Sequence, residues 1–381
     1  MKDYLSGAKA LAELPYTKPP YSSRAWGNPL HSLCSYQGKL KPSIAHFLIN
    51  LFTSPGDRVL DPFSGSGTIP LEARLQGRVA VGNDLQVLAY ILSYAKVTSV
   101  DLDVLHARTD EFLDYVKSAD PDPGQLESAS SFGLNGTLSE YFHPGNLVEI
   151  VNARQYIIAN LKSLDPELAL IFSAFLHILH GNRPYALSRT SHPVTPLKPK
   201  GEFEYRDIAP RLIAKLDKVV AAYGLPISLG GKLSDGTAHW GSYEMIPECS
   251  SIDAVITSPP FAGSTRFYSS NWMRLWAAGW EPEDFRAKKP QFLEERQRKG
   301  LQVYSDFFDS AYRWLKPGGR LILHLGKTSK IDMRSELQEV SAMKFEYVYG
   351  FDESVEGAEK FGIRDQGATK FHQFLFLRKA A

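Results

Sequence analysis

The 381-residue sequence predicts an α/β fold in which a largely parallel sheet is interrupted by a helical insertion. Residues 58–96 alternate strand, helix, strand and helix, which is the order expected of parallel strands joined by crossover helices. From residue 101 to about residue 225, only helical periods are found. Strand-like runs return at 252–257 and 320–325, so both halves of the chain are predicted to contribute to one sheet.

The elements of the first half follow in order. Four prolines among the first thirty residues predict an extended arm with at most a short helix. Apolar residues then recur at helical spacing, and a glycine loop separates the first strand from the next helix. The predicted elements are a helix at 43–52, a turn at 54–57, a strand at 58–61, the loop at 64–67, a helix from there to about residue 76, a strand at 79–83 and a helix at 85–96.

The second half begins with the insertion and returns to the sheet. The insertion shows helical periods and no convincing strand, which indicates a helical segment rather than a free-standing domain. A Lys-Pro-Gly-Gly run is typical of a turn between a helix and the next strand. The predicted elements are helices within 147–161, 166–180 and 208–223, a strand at 252–257, a helix at 307–315, the turn at 316–319, a strand at 320–325 and hairpin strands at 345–351 and 372–377.

The composition excludes several classes of protein. The chain has 43 basic and 42 acidic side chains, so we do not expect a wholly basic protein of the kind that coats nucleic acid. Two cysteines, Cys34 and Cys249, cannot build a disulfide framework or a four-cysteine metal site, and they favour a reducing compartment. The longest nearly apolar stretch, 168–180, is too short to cross a bilayer, and no secretory signal is evident at the start. We therefore expect a cytoplasmic protein without membrane spans.

The glycine loop indicates a cofactor with a positive charge. It lies in the run Asp-Pro-Phe-Ser-Gly-Ser-Gly-Thr at 61–68, where Gly65 and Gly67 permit a tight turn and close approach of a ligand. Pro70 replaces the third glycine of the dinucleotide fingerprint, and the lysine of a phosphate-binding loop is absent. A carboxylate at Asp61 attracts an ammonium group, and Asp84, at the end of the next strand, is placed to bind a ribose diol. The combination predicts S-adenosylmethionine.

A second short run, Ser258-Pro259-Pro260-Phe261, follows the predicted strand at 252–257. The two prolines fix the backbone, so the Pro259 carbonyl has a set direction. A hydroxyl before the prolines and an aromatic ring after them form a compact polar and stacking site. The carboxyl edge of a parallel sheet is where such folds bind ligands, which favours a function over a plain turn.

With these two runs, the chain resembles the amino-methylating DNA methyltransferases, which modify N4 of cytosine or N6 of adenine. The resemblance rests on 61–68, on 258–261 and on the run Tyr-Gln-Gly-Lys-Leu-Lys-Pro at 36–42, and it covers roughly 31–100 and 230–381. It implies a Rossmann-like S-adenosylmethionine-dependent methyltransferase sheet with a helical insertion. The expected organisation is an arm and first half of the methyltransferase domain at 1–100, an insertion and candidate target-recognition region at 101–230, and the second half with the catalytic motif at 231–381.

The resemblance also implies the residues of the site. Ser258 Oγ and the Pro259 carbonyl would accept hydrogen bonds from the target amine, and Phe261 would stack on a flipped base, by direct transfer without a covalent intermediate. Methylation at cytosine C5 is set aside, because neither cysteine follows a proline. The implied catalytic residues are Ser258, Pro259, Pro260 and Phe261, and the cofactor-binding residues are Tyr36, Pro42, Asp61, Pro62, Phe63, Ser64, Gly65, Gly67, Thr68, Asp84 and Asp235.

Basic and aromatic residues on both sides of the catalytic motif suggest a nucleic-acid interface. One acid-free loop spans 182–200, and a second basic cluster lies at 286–299. Methyl transfer needs no metal, and His177 and His180 alone are too few ligands for one. The nucleic-acid-binding candidates are Arg183, Arg189, Lys198, Lys200, Arg266, Tyr268, Lys288 and Lys289.

Within this family, a serine at the start of the catalytic motif is more usual for cytosine than for adenine. The leading interpretation is therefore a sequence-specific DNA cytosine-N4 methyltransferase, nucleoid-associated when bound to DNA and in some cases paired with a restriction endonuclease. An N6-adenine DNA methyltransferase is the close alternative. An RNA guanine N2-methyltransferase and a catalytically silent DNA-binding relative stay open as further interpretations.

Overall fold

The computed structural model describes residues 4–16, 18–23, 26–223, 234–247, 251–263, 266–355 and 369–380. Its centre is a seven-stranded sheet in which every neighbouring pair is parallel except those made by the last strand, which lies antiparallel between two others. The strands are β1 (Arg58–Asp61), β2 (Val79–Asp84), β3 (Thr237–Trp240), β4 (Ile252–Thr257), β5 (Leu315–Lys327), β6 (Phe345–Ser354) and β7 (Phe371–Lys379). Their order is β3-β2-β1-β4-β5-β7-β6, which confirms the predicted α/β sheet.

Helices cover the sheet and fill the long segment between β2 and β3. They are α1 (Tyr4–Ala12), α2 (Pro42–Phe52), α3 (Thr68–Leu75), α4 (Val87–Val97), α5 (Leu102–Ser118), α6 (Pro123–Ser131), α7 (Leu138–Tyr141), α8 (Pro144–Asn160), α9 (Pro166–Ile178), α10 (Ile208–Tyr223), α11 (Phe267–Ser270), α12 (Trp272–Ala277), α13 (Asp284–Ala287), α14 (Leu293–Arg296), α15 (Ser305–Trp314) and α16 (Met333–Ser341). None of these helices has both the length and the apolar character needed to cross a bilayer, over the ranges described above.

Most predicted elements are found, and two differences have clear physical reasons. The turn predicted at 316–319 lies inside β5 rather than before it, because Leu315 already pairs with Ile252. The next pair is Arg320 with Ala254, so the pairing is irregular across 316–319, where Gly318 has φ +73°. Strand β3 was not predicted. It is a four-residue edge strand whose side chains are half-buried or exposed, so the sequence there has no apolar run.

Successive side chains of each central strand point to opposite faces of the sheet and pack into two apolar layers. Val59, Ile256 and Ile322 face the layer formed with α1 and α2. Their neighbours Leu60 and Val255 face the opposite layer, which is completed by α15 and α16. Because both faces are covered, the central strands are buried and read as nearly continuous apolar runs.

The helices between β2 and β3 form a core of their own. This third apolar cluster joins side chains of α5, α8, α9 and α10 to one face of α4 and to α12, and its buried members include no side chain of the sheet. Arg154 of α8 donates to the carbonyl oxygens of Trp276 and Trp280 and pairs with Glu281 at 2.5 Å. The insertion is thus fastened to the segment that follows the catalytic motif, and the division at 101–230 stays a prediction. Cys34 is buried with a free thiol, whereas Cys249 lies outside the described residues.

Candidate functional site

The predicted motifs meet where the strand order reverses. The chain runs from β1 to β2 and β3 on one side and from β4 to β5 on the other, so a crevice opens at the carboxyl ends of β1 and β4. Asp61 ends β1, and Ser258 follows β4 directly. Thr257 Oγ1 lies 2.6 Å from Asp61 Oδ1, so a hydrogen bond connects the two strands at this point.

The glycine loop is held in a left-handed turn at both glycines. Gly65 has φ +49°, and a Cβ there would lie 3.4 Å from the Tyr36 ring. Gly67 has φ +71°, and a Cβ there would lie 2.9 Å from the backbone of Ser93 on α4. Gly65 therefore leaves room beside Tyr36, whereas Gly67 permits close packing of the loop on α4. The buried Lys96 ammonium donates to the Ser66 carbonyl and fixes the loop from below.

A cavity that is partly open to solvent lies above this loop. Its lining combines both motifs, since Ser258 and Pro260 face the same space as the cofactor residues. The predicted site residues that line it are Tyr36, Asp61, Pro62, Phe63, Ser64, Gly65, Thr68, Asp84, Ser258 and Pro260.

The cavity is acidic, and its carboxyl groups are poorly solvated. Burial raises the pKa of Asp61 to about 7 and the pKa of Asp84 to about 6. Burial, with the charge of Asp84 nearby, likewise raises the pKa of Glu294 to about 7. Two basic side chains, Lys39 and Arg296, also line the cavity, but both are engaged elsewhere. Lys39 donates to a backbone carbonyl at 2.7 Å, and Arg296 pairs with two other carboxylates at 3.4 and 3.5 Å.

Asp61 and Asp84 accept backbone hydrogen bonds, and one carboxylate oxygen of Glu294 has no partner among the residues described. Asp84 accepts from the Gly65 and Gln86 amides at 2.9 Å each, so it also braces the glycine loop. Asp61 accepts from the Phe63 amide at 3.2 Å. Glu294 Oε1 is buried without a hydrogen-bond partner among the residues described. A cationic ligand would satisfy this oxygen and offset the three buried charges.

The catalytic motif is tied to neighbouring elements. The Tyr304 hydroxyl donates to the Pro260 carbonyl at 3.3 Å, and Gln297 donates to the Phe261 carbonyl at 3.2 Å. The Phe261 ring is half-buried, with its centroid 5.3 Å from that of His324. Ser258 Oγ lies 3.0 Å from His324 Nδ1.

Several predicted residues lie outside the cavity lining. Pro42 begins α2 and is buried, and Gly67 packs on α4. Pro259 and Phe261 are also not among the residues that line the cavity. Asp235 is half-exposed and bonds elsewhere, to Arg74 at 3.0 Å and to the Ser99 amide and hydroxyl at 2.8 and 2.7 Å.

The nucleic-acid candidates of the insertion lie on its surface. Arg183, Lys198 and Lys200 are exposed. Arg189 is half-buried, donates to the Glu140 and Gly201 carbonyls, and lies over an aromatic ring at 4.5 Å. Arg189 is thus occupied in holding the loop, and the role of the whole group in binding DNA stays a prediction.

The second group of candidates is more varied. Arg266 is exposed and pairs with Glu295 at 2.6 Å. Tyr268 is buried and donates to the same carboxylate at 2.8 Å, so it supports the wall of the site. Lys288 and Lys289 are half-buried, and Lys288 pairs with the carboxylate four residues before it. Their contact with nucleic acid stays a prediction.

Comparison with known proteins supports the cofactor half of the site. Residues 16–91 match the model of the N6/N4 family described as DNA methylase, so the predicted resemblance to amino-methylating DNA methyltransferases is confirmed over this segment. The segment includes Asp61, the glycine loop and Asp84. The methyl donor of this family is S-adenosylmethionine. The match therefore confirms the predicted cofactor.

Two curated proteins match short segments of the chain. A tRNA (guanine(10)-N2)-dimethyltransferase of Methanothermobacter thermautotrophicus is 45% identical over 51 residues, which is 13% of this chain and 15% of that protein. The type II methyltransferase M.MjaII of Methanocaldococcus jannaschii is 26% identical over 76 residues, which is 20% of this chain and 14% of that protein. The chain therefore aligns with about a seventh of the length of each relative.

Among solved structures, an S-adenosylmethionine-dependent methyltransferase from Methanosarcina mazei aligns with 87% of this chain and 97% of its own. The sequence identity is 12% and the TM-score is 0.33.

Proposed function

We propose that this protein transfers a methyl group from S-adenosylmethionine to the exocyclic N4 of cytosine in DNA. The observation that carries the proposal is that Ser258 and Pro260 line the same cavity as Asp61, Gly65 and Asp84. A polar group able to hold an amine thus lies beside a site suited to a charged methyl donor.

The residues present fit the cofactor. Asp84, at the end of β2, is placed to accept hydrogen bonds from a ribose diol. Asp61 and Glu294 offer buried carboxylates to the positive charges of the ligand, and the free Glu294 Oε1 needs such a partner. When bound, S-adenosylmethionine would supply an electrophilic methyl group to the target amine, with S-adenosylhomocysteine and one proton released to solvent as the other products.

The protein must make a poor nucleophile reactive, because the lone pair of an exocyclic amine is delocalised into the ring. Ser258 Oγ and the Pro259 carbonyl oxygen would accept the two N–H groups and localise that lone pair. The prolines give the carbonyl a fixed direction before the substrate binds. Little free energy of substrate binding is therefore needed to orient this acceptor. Hydrogen-bond acceptance and orientation suffice for this chemistry, and no covalent intermediate is required.

A base in a duplex must leave the stack to reach this cavity, at a cost of a few kcal/mol. Stacking on an aromatic ring contributes about 1–3 kcal/mol per base. Phe261 is the aromatic residue of the motif, and its half-buried ring is the proposed stacking partner of a flipped base. Exposed Arg183, Lys198 and Lys200 would supply contacts with the phosphates. A companion endonuclease and a nucleoid location stay predictions from the family resemblance.

The proposal is tested with the full chain, S-adenosylmethionine and unmethylated genomic DNA, followed by nuclease digestion and mass spectrometry of the nucleosides. N4-methylcytosine is expected. N6-methyladenine would show that the inference from Ser258 to cytosine is wrong while the amine chemistry holds. A parallel reaction on unmodified tRNA is included because one relative acts on tRNA guanine. Methylated guanosine there, with no modified base in DNA, would overturn the proposal.

The variant Ser258→Ala tests the role of the Ser258 hydroxyl. If Ser258 holds the amine, this variant should transfer methyl groups at least about tenfold more slowly and bind the cofactor with nearly unchanged affinity. A catalytically silent DNA-binding protein would show cofactor binding and no turnover, with no difference between wild type and Ser258→Ala.

A further inference from the structure

His324 is the polar side chain that contacts Ser258. It lies on β5, and its neighbour Leu323 pairs with Thr257 on β4, so the ring stands beside the start of the catalytic motif. The distance from His324 Nδ1 to Ser258 Oγ is 3.0 Å. His324 is 3% exposed and lies among the rings of Phe261, His372 and Phe374, at centroid distances of 5.3, 4.9 and 5.0 Å.

The direction of this hydrogen bond decides what Ser258 can offer to a substrate. If Nδ1 carries the proton, it donates to Ser258 Oγ and occupies one of the hydroxyl lone pairs. If Nε2 carries the proton, Ser258 donates its hydroxyl hydrogen to Nδ1 and keeps both lone pairs for an incoming amine.

The surroundings of the ring favour the second arrangement. Nε2 is buried and has no hydrogen-bond partner among the residues described. A buried lone pair at that atom would remain wholly unsatisfied. An N–H group there can instead direct its hydrogen to an aromatic face, which is a weak but real interaction. Aromatic rings surround His324 on several sides, so they can accommodate a donor better than an acceptor.

We propose that His324 is a positioning residue, which accepts the Ser258 hydroxyl hydrogen at Nδ1 and so turns Ser258 Oγ toward the cavity as a hydrogen-bond acceptor for the substrate amine. The proposal rests on the proposed function for the identity of the amine. In this arrangement, Ser258 holds the substrate amine and His324 fixes the orientation of the Ser258 hydroxyl.

The imidazole is not expected to collect the amine proton. Burial, with His372 and Lys41 nearby, holds the pKa of His324 well below its usual value. Among the described residues, Ser258 bonds to the ring and the charges of His372 and Lys41 act on it, and none of these three is an acid that would stabilise an imidazolium. The ring therefore works as a neutral acceptor.

The first test needs neither cofactor nor DNA. The full chain is labelled with 15N-histidine, and the long-range ring couplings in an NMR spectrum report which nitrogen carries the proton. The His324 signal is assigned from its loss in His324→Asn. We expect the Nε2-protonated tautomer, with a shift of the Nδ1 resonance in Ser258→Ala. An Nδ1-protonated ring would overturn the proposal.

The second test uses the geometry of two amides. Asparagine places an amide near the position of Nδ1, whereas glutamine places it near Nε2, beyond reach of Ser258. Single-turnover methyl transfer to unmethylated genomic DNA should be about tenfold slower in His324→Gln and should remain close to wild type in His324→Asn. Cofactor affinity and melting temperature, measured for each variant, should stay close to the wild-type values.

The double variant Ser258→Ala/His324→Gln should be no slower than Ser258→Ala alone, because His324 acts through that hydroxyl. Multiplicative losses, or a His324→Gln variant as fast as wild type, would overturn the inference and leave the proposed function intact. A wild-type protein that methylates no DNA would count against the proposed function, and the tautomer would still decide the inference.

Discussion

Thr257 donates its hydroxyl hydrogen to Asp61, with 2.6 Å between Oγ1 and Oδ1. The two residues end β4 and β1, the strands between which the sheet order reverses. One buried hydrogen bond thereby connects the catalytic strand to the cofactor strand. It also favours the charged form of Asp61, against the burial that raises the pKa of this carboxyl to about 7.

Thr257→Val should remove this bond and raise the pKa of Asp61 further, because burial would then be less well opposed. We expect the affinity for S-adenosylmethionine at pH 7 to fall by about three- to tenfold, with a smaller difference at about pH 9 where Asp61 is ionised in both proteins. Isothermal titration calorimetry measures both. Thr257→Ser keeps the hydroxyl and should bind like wild type. Equal losses at the two pH values would contradict the explanation.

The three cavity carboxyls make cofactor binding depend on pH. The pKa values of Asp61, Asp84 and Glu294 are raised to about 7, 6 and 7, and a cation binds best when these groups are ionised. Affinity should therefore rise about tenfold or more between about pH 5.5 and about pH 8, then level off. Binding at about pH 6.5 should release protons, which calorimetry in buffers of different ionisation enthalpy detects. A flat profile would exclude these carboxyls as the binding groups.

The same groups should destabilise the cofactor-free protein as the pH rises. A carboxyl whose pKa is raised by folding binds more protons in the folded state than in the unfolded state. Its stabilising contribution is complete below the unfolded pKa and is lost as the pH rises through the folded pKa, here between about 4 and 7. Urea unfolding without cofactor should show the free energy of unfolding of Asp61→Asn falling less steeply over this range than that of wild type.

Glu294→Gln tests the carboxylate that has an unpartnered oxygen. The variant keeps the size and polarity of the side chain and removes its charge, so S-adenosylmethionine should bind about tenfold more weakly. S-adenosylhomocysteine lacks the sulfonium charge and should lose less affinity. Fluorescence or calorimetric titration of both ligands gives the comparison. Glu283→Gln, an exposed carboxylate on the same segment, is the matched control and should change neither. An equal loss for both ligands would show that Glu294 does not respond to the sulfonium.

Asp235→Asn separates a structural role from a cofactor role. Asp235 pairs with buried Arg74 and accepts two hydrogen bonds from Ser99, and its own side chain is half-exposed. We expect a loss of about 0.5–1.5 kcal/mol in the free energy of unfolding. Cofactor affinity should stay within about twofold of wild type, since Asp235 does not line the cavity. A large loss of affinity with unchanged stability would instead favour the cofactor-binding role that the family resemblance implies for Asp235.

The parts of the site that the sequence predicted share one property. Asp61, Asp84 and Ser258 follow apolar runs that can only be strands of a parallel sheet, and the carboxyl ends of such strands meet at one edge. Their proximity thus follows from topology alone. The same reasoning could not fix the distance or direction of any hydrogen bond between them.

The parts that were missed depend on tertiary packing. Glu294 lies on the four-residue helix α14, and no local pattern indicates that this helix covers the cavity. His324 stands within the otherwise apolar run 321–325 of β5, where a single histidine is more often a core residue than a functional one. The basic segments could be found because charged residues are visible in the sequence. The sequence does not show that Arg189 bonds to the Gly201 and Glu140 carbonyls and so stabilises the loop.

The place of β3 at the sheet edge has a kinetic consequence. Val81 of β2 pairs with Thr237 of β3, at opposite ends of the long helical segment. This pairing has a high contact order, so a large loop-closure entropy must be overcome before its hydrogen bonds form. Strand β3 should therefore pair with β2 late in refolding. The helices between the two strands form first and shorten the distance that the chain must span. Residues 241–243, which follow β3 and line the cavity, can then take their positions only in that last step, so ligand-binding competence should be acquired more slowly than secondary structure.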